Sequence, residues 1–378
     1  MKDLEIEHVS VQVVGPETER HAWASDMHAQ YMTNTIVRLR TRGGLEGIAG
    51  VSSFTEFGFD RAVAETLRPL LPHLIGASPH GREALWQKLQ NRSIPVAPQA
   101  HSAIDIALWD LAAKAAGLPL YRHLGGCRDK IPAYASTPLY ADNAAYVDNV
   151  ARLAGEGFRA IKFHCWCEVG RDMAMVRAVH KEFGSTPLRF MLDVEQRYQR
   201  DDALVAAREL EDLDYFWFEA PLLDYDLAGY RELRDYTHVP IIPAGNSVLS
   251  PLLIETAIDM GCWSRARVDV TVAGGVTPAL KILGLAEARG MTVELQCWGY
   301  TLTQAANLHV MLARPNCTYF EQPVPYPAFE YGVANPIRTD RNGDVRAPDG
   351  PGLGVELDWA AIDAATLMKI EEGRRLPA

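Results

Sequence analysis

Between Phe158 and Asn246 the chain repeats one pattern: a short apolar run ends in a polar or charged residue and is followed by residues at helical spacing. The runs are Arg159-Ala160-Ile161-Lys162-Phe163-His164, Leu188-Arg189-Phe190-Met191-Leu192-Asp193, Tyr215-Phe216-Trp217-Phe218-Glu219 and Pro240-Ile241-Ile242-Pro243-Ala244-Gly245, the last leading into Asn246. Ala266-Arg267-Val268-Asp269, Met291-Thr292-Val293-Glu294-Leu295-Gln296 and Thr318-Tyr319-Phe320-Glu321 continue the beat. Short apolar runs between helical stretches predict buried parallel strands. Polar residues at their C-terminal ends point to one mouth of a closed barrel, whose βα unit takes roughly 30 residues. A doubly wound open sheet has a similar period, but no Gly-rich nucleotide loop follows the first strand.

The first 60 or so residues alternate instead. Leu4, Ile6 and Val9 open a strand, Thr33–Thr41 makes a second, Arg42-Gly43-Gly44 a hairpin turn, and Gly44–Gly50 the partner strand. Two loops here are rich in polar and aromatic residues: one holds His21, Trp23, Met27, His28 and Tyr31, the other runs from Ser52 through Phe54 to Phe57. Loops of this kind carry binding more often than the scaffold does, although plain loop packing is the bland alternative. From Arg61 to Ala116 the spacing is helical, with Ile104, Ala107, Leu108, Leu111 and Ala115 on one face. Gly117 ends this helix and Pro119 blocks its extension. The spacing thus predicts an α+β domain over residues 1–126, barrel strands from Ile131 within 127–340, and a tail over 341–378 that returns to the first domain through a strand at Gly352–Leu357.

At 378 residues and 48% hydrophobic, the chain can fill two domain cores. It has no apolar run of about 18 residues and no signal-like start, so a soluble cytoplasmic protein with no membrane partner is expected. The six cysteines are scattered, and Cys165-Trp166-Cys167 is too tight for a zinc knuckle. A formal charge of −11 gives no basic field for nucleic acid, so an anionic substrate needs help from a metal or a buried cation.

Five segments together resemble one family. His101–Gly126 has AIDIALWDLAAKAAGLPLYRHLGG at its heart; Lys162-x-His164 ends the second strand, Asp193 the third and Trp217-Phe218-Glu219-Ala220-Pro221 the fourth; Val272-Ala273-Gly274-Gly275 follows the sixth. The combination resembles the enolase superfamily, mandelate racemase-like branch, over nearly the whole chain. The resemblance implies a (β/α)7β TIM-like barrel with an N-terminal α+β capping domain, a Mg2+ ion, and removal of the proton α to a carboxylate. It also implies that capping-domain loops close over the substrate, which makes His21, Trp23, His28 and Phe54 candidate substrate contacts.

Asp193, Glu219 and Asn246 end consecutive strands, and their oxygens suit Mg2+ with positions left open for substrate. The family usually has a third carboxylate where this chain has Asn246; some dehydratases of the superfamily are similar in using Asn. Two carboxylates leave a dication about neutral, where three would leave a negative site facing an anionic substrate. Lys162 stands first in the family's K-x-K and would neutralise the substrate carboxylate. His164 replaces the second Lys, the usual base, and faces the same side of the strand. A neutral imidazole can take a proton and return it, and Lys162 is expected to lower its pKa.

On the opposite face the family pairs an Asp on the sixth strand with a His on the seventh. Asp269 is present, but the seventh-strand position is Gln296. His309, the only histidine after His238, lies in a later helical run, so no dyad can form. Asp269 is then expected to orient Gln296 or a substrate hydroxyl. Glu321, ending the eighth strand, would donate to the substrate carboxylate if burial keeps it protonated; an ion pair is the alternative. Glu195, Tyr198 and Trp298, just past strand ends, complete the candidate substrate contacts.

Racemisation needs a base on each face of the α-carbon, and this chain offers one face. One histidine can take the α-proton and then protonate a leaving hydroxyl, so dehydration of an acid sugar (aldonate or aldarate) to a 2-keto-3-deoxy acid is the expected reaction. Cycloisomerisation or epimerisation of a carboxylate is the enzymatic alternative, and a non-catalytic homologue that binds or senses is the other. A small-molecule carboxylate substrate and a homo-oligomer of unspecified size are the expected partners.

Overall fold

The computed structural model describes residues 2–26, 28–29, 32–52, 57–91 and 96–373. Strands β1 (Ile6–Val14), β2 (Asn34–Thr41) and β3 (Glu46–Val51) form an antiparallel meander. Leu4 falls in a short 3-10 turn, so β1 starts later than the alternation suggested. Helices α1 (Phe57–Leu67), α2 (Arg82–Gln90), α3 (Pro98–Ala115) and α4 (Leu120–His123) complete this N-terminal domain.

Helix α3 couples the N-terminal domain to the barrel. Proline opens it at the first turn, where its missing N–H costs nothing. Gly117, at φ +68°, closes it, with the Leu118 N–H donating to Ala113 O at 3.0 Å. Its residues are buried on almost every side because it is packed from two directions. Toward the meander, Asp110 accepts from the Ile48 N–H at 2.8 Å, and Gly47 lets the β3 backbone approach; a Cβ there would lie 2.8 Å from Leu111 Cβ. Toward the barrel, Asp105 accepts from the Thr277 hydroxyl at 2.6 Å and the Thr277 N–H at 2.9 Å.

The barrel alternates β4 (Ile131–Ser136), α5 (Asn143–Glu156), β5 (Ala160–His164), α6 (Val169–Phe183), β6 (Arg189–Asp193), α7 (Arg200–Asp212), β7 (Trp217–Glu219), α8 (Leu227–Tyr236), β8 (Ile241–Ile242), α9 (Pro251–Asp259), β9 (Ala266–Val268), α10 (Val276–Glu287), β10 (Val293–Leu295), α11 (Thr301–Ala313) and β11 (Phe320–Pro323). Strands β4 to β8 pair in parallel order and β11 pairs with β4, joining last strand to first; β9 and β10 pair with each other. At the two seams the Ser264 N–H donates to Ile241 O at 2.9 Å and the Val293 N–H to Asn316 O at 2.8 Å.

Period-two alternation sorts each strand between two environments. Ile161, Phe163, Leu192 and Phe218 join the large core that includes the surrounding helices. Tyr134, Ala160, Met191, Trp217 and Ile242 form a separate cluster inside the barrel. Two residues further along the same inner face come Lys162, Asp193 and Glu219, so the apolar plug supports a charged layer.

The tail adds β12 (Asp344–Val345), α12 (Trp359–Ala364) and β13 (Thr366–Gly373). The strand returning to the meander is β13, which pairs antiparallel with β1 from His8–Gly373 to Val14–Thr366. Gly352–Leu357, the expected strand, is not one. Gly352 and Gly354 sit at φ +73° and +65°, and the Leu353 N–H between them is taken by Asp110 at 2.7 Å. Left-handed backbone at both glycines breaks the extension that a strand requires. No helix among the described residues is long and apolar enough to cross a membrane.

Candidate active site

The C-terminal ends of the barrel strands enclose a cavity of about 80 Å³. Lys162, His164, Asp193, Glu219, Asn246, Gln296 and Glu321 line it from the barrel. Glu195, Trp298 and, from the capping domain, Trp23 complete the expected residues in its wall. The loop bearing Trp23 is fastened to the barrel at three places: the Leu139 N–H donates to Ala22 O (2.9 Å), the Ser25 hydroxyl to Trp166 O (2.7 Å), and Arg197 pairs with Asp26 (2.8 Å). The Trp23 ring meets Trp298 edge-on, with centroids 4.3 Å apart. Of the non-glycine residues at positive φ, Cys167, Glu195, Gln196 and Ala220 all come just after barrel strand ends around this mouth. Strained backbone of this kind concentrates at functional sites.

Lys162 is almost wholly buried and bridges three carboxylates: Asp193 at 3.1 Å, Glu219 at 2.7 Å and Glu321 at 2.8 Å. The His164 Nδ1 lies 2.6 Å from Thr137 O, a group that can only accept, so Nδ1 carries a proton and Nε2 faces the cavity. Nε2 is 3.1 Å from Glu195 and 3.4 Å from Asp193. Burial alone would lower the His164 pKa, but Asp193 and Glu195 outweigh it and raise it to about 10. This reverses the direction expected from Lys162, which pulls the other way but more weakly than the acids.

Glu321 takes the second of its two expected roles, the ion pair. Burial would keep it protonated, but Lys162 and Arg267 hold its pKa at about 2, so it is an ionised partner in an ion-pair network and not a hydrogen-bond donor. Burial, with the added repulsion of Asp193 and Glu321, pushes Glu219 up to about 8. Asp193, although buried, is held well below the usual carboxylate range by Lys162 and His164.

Asp269 lies outside the cavity wall. One of its oxygens accepts from the Thr271 N–H (2.7 Å), the Thr271 hydroxyl (2.8 Å) and Asn307 (2.9 Å); the other has no partner. The buried Gln296 carbonyl oxygen has none either, so Asp269 does not orient Gln296 as expected. Tyr198 is likewise turned away: its hydroxyl donates to buried Asp172 at 2.7 Å, tying the loop after β6 to the first turn of α6. His21 is part-buried near Glu19, with burial lowering its pKa, and His28 is exposed; neither lines the cavity. Phe54 lies outside the described residues. His309 accepts from the Tyr121 N–H at 3.0 Å and faces Leu353 O at 3.1 Å, a structural role far from a dyad.

Two contributors went unassigned in the sequence. Arg267 is fully buried and pairs with Glu219 (2.8 Å) and Glu321 (3.0 Å). Its signal was the two-residue step to Asp269, the same step that puts Lys162 beside His164. Asp224 is buried and accepts from the N–H groups of Ala244, Asn246 and Ser247, each at 2.9 Å, which fixes the loop carrying Asn246. Nothing in its local sequence separates it from an ordinary loop acid.

The donors here fit a hard divalent cation. Asp193, Glu219 and Asn246 offer oxygens at adjacent strand ends, and the Asn246 Oδ1 is buried without a partner, an arrangement that costs about 1–3 kcal/mol unless something engages it. His164, Asp193 and Glu195 also converge, with ligand atoms within 4.8 Å of one another.

This fold and site define a barrel scaffold of the enzyme type with an acid-lined mouth, and comparison with known proteins identifies which. Residues 8–125 match the mandelate racemase / muconate lactonizing enzyme N-terminal domain, and residues 145–361 the enolase C-terminal domain-like family. The chain belongs to the mandelate racemase-like branch of the enolase superfamily. It is 30% identical to a D-galactonate dehydratase of Ralstonia nicotianae over 88% of this chain and 90% of that one. A solved structure from Pseudovibrio sp., of the mandelate racemase/muconate lactonizing enzyme type, is 41% identical with a TM-score of 0.96, covering 98% of this chain and all of that one. A D-glucarate dehydratase from Agrobacterium tumefaciens, solved with magnesium, is 30% identical with a TM-score of 0.84, covering 97% of this chain and all of that one.

Proposed function

We propose that the protein is a Mg2+-dependent acid-sugar dehydratase that converts an aldonate or aldarate to a 2-keto-3-deoxy acid. The observation that carries this reading is the single-sided site: His164 Nε2 faces the cavity, while the opposite strand ends hold Asp269 and Gln296 with no titratable pair between them. The galactonate and glucarate dehydratases support the substrate class.

Asp193, Glu219 and Asn246 would hold the ion. When bound, it would offset the negative charge that develops on the substrate carboxylate as the α-proton leaves. Lys162, poised among three acids, neutralises that carboxylate on the other side. His164 Nε2 takes the α-proton and returns it to the departing hydroxyl on the same face, with its Nδ1–H fixed on Thr137 O so that only one nitrogen works. With the ion held by Asp193, the neutral form of His164 would become accessible, because that carboxylate is the main influence raising the imidazole pKa. Glu195, 3.1 Å from Nε2, lies where it can hold the imidazole or a substrate hydroxyl. Trp23 and Trp298 shield the mouth from bulk water.

The test is a panel of aldonates and aldarates incubated with Mg2+ and assayed for 2-keto acids by semicarbazide absorbance, with a chelator control. Chelator-sensitive product from at least one sugar acid is the expected result. Lactone-derived isomers with no loss of water would instead favour cycloisomerisation, which a one-sided site also permits. No turnover across both series, with metal bound, would favour the binding role.

A further inference from the structure

Arg267 makes the cation-binding end of the barrel unusual in charge. Its side chain is fully buried, and the same Nη2 nitrogen contacts Glu219 Oε1 at 2.8 Å and Glu321 Oε2 at 3.0 Å. Lys162 contacts the same two acids from the other side. Glu219 is therefore crowded: its Oε1 meets both cations, and its Oε2 accepts from the Trp217 indole N–H at 3.0 Å. Arg267 also abuts the strand end that carries Asn246. Gly245 there is at φ +74°, and a Cβ on it would sit 3.0 Å from Arg267 O and 3.1 Å from Arg267 Cγ. Arg267 thus touches one expected metal ligand and the backbone next to another.

With Glu219 ionised, as a metal ligand must be, Asp193, Glu219 and Glu321 bring three negative charges and Lys162 and Arg267 two positive ones, so this layer carries one net negative charge, and the adjoining His164–Glu195 pair adds none. Without Arg267 it would carry two. At these separations, inside protein, one charge changes the attraction for a dication substantially. An acid substrate adds a negative charge beside the metal and restores the attraction that Arg267 removes.

We propose that Arg267 is a positioning residue of the metal site, which braces Glu219 and offsets one of its charges so that the divalent ion binds weakly to the free protein and firmly only together with a carboxylate substrate. The proposal rests on the metal-site reading above. It differs from a purely structural ion pair in sign: a brace that only shapes the ligands would bind metal less well when removed, whereas a charge offset would bind it better.

The experiment titrates Mn2+ alone into the unaltered protein, R267Q, R267K and E321Q, following water-proton relaxation, with thermal melts to establish folding. R267Q is expected to bind Mn2+ about tenfold or more tightly than the unaltered protein, and R267K, which keeps the charge, within about threefold of it. E321Q removes a negative charge without touching a ligand and is expected to weaken Mn2+ binding. Unchanged or weaker binding by folded R267Q overturns the proposal. Should R267Q not fold, unchanged or tighter binding by E321Q overturns it independently. Absence of Mn2+ binding by the unaltered protein would instead overturn the metal site on which the proposal stands.

Discussion

The two halves of the barrel mouth use the same strand-end geometry for opposite purposes. From β5 to β8 the last inward residues are Lys162, His164, Asp193, Glu219 and Asn246, which converge on the cavity. At β9 and β10 the corresponding residues are Asp269 and Gln296. Asp269 is consumed by Thr271 and by Asn307 of α11, and Gln296 offers an amide. The backbone does not distinguish the halves; occupancy of the side chains does. One Asp269 oxygen is taken by its own scaffold and the other meets no partner, so the carboxylate does not orient Gln296 although it lies two residues from a charged layer. In the proposed function, proton chemistry is confined to one side.

Four measurements put that contrast at risk. The largest effect is expected from His164→Asn. A group used as base and then acid should contribute near the top of the general acid–base range, about 10³–10⁴-fold in kcat, with metal binding retained. In the same series, the unaltered protein in D2O should exchange the α-proton of one configuration only, and epimer formation near the turnover rate would end the one-sided picture.

Asn246→Asp comes next. It adds a negative charge beside the substrate carboxylate, and an increase in KM of about tenfold at saturating Mg2+ is expected. An unchanged KM would mean that the amide ligand has no electrostatic part.

Asp269→Asn should do little. The amide oxygen can still accept from Thr271 and Asn307, so kcat/KM should change by less than about threefold. A loss of about a hundredfold or more would place Asp269 in the chemistry and make the site two-sided.

The smallest effect lies behind the far wall, at His309 on α11. Burial pushes its pKa down from 6.5 to about 4, so the folded protein keeps it neutral while the unfolded chain takes up a proton. Its stabilising contribution is complete above about pH 6.5 and is lost as pH falls toward 4, by about 3 kcal/mol over the window. His309→Gln can keep both backbone contacts and should flatten that part of the stability–pH curve with no change in activity at neutral pH. An unaltered slope in chemical denaturation would assign the acid sensitivity elsewhere.

The barrel and the order of its strands were legible in the chain itself. Apolar runs with polar ends, spaced by helical stretches, leave few other ways to bury both faces of parallel strands. The absence of a His–Asp dyad was legible too, since a residue that is not encoded cannot be supplied by folding. Lys162, His164, Asp193, Glu219 and Asn246 were readable because one period-two step past an apolar inner position leads to the mouth. What those side chains do to one another emerged only in three dimensions. Glu321 is ionised and His164 carries its proton because buried opposite charges from distant strands outweigh burial itself, and no local pattern encodes that balance. Tyr198 was drawn aside by Asp172, and the tail strand moved from Gly352–Leu357 to Thr366–Gly373 because left-handed glycines and Asp110 claimed the earlier segment. Arg267 is the clearest case: in sequence it shows only a two-residue step to Asp269, and the folded barrel alone brings Glu219 and Glu321 to one nitrogen of its guanidinium.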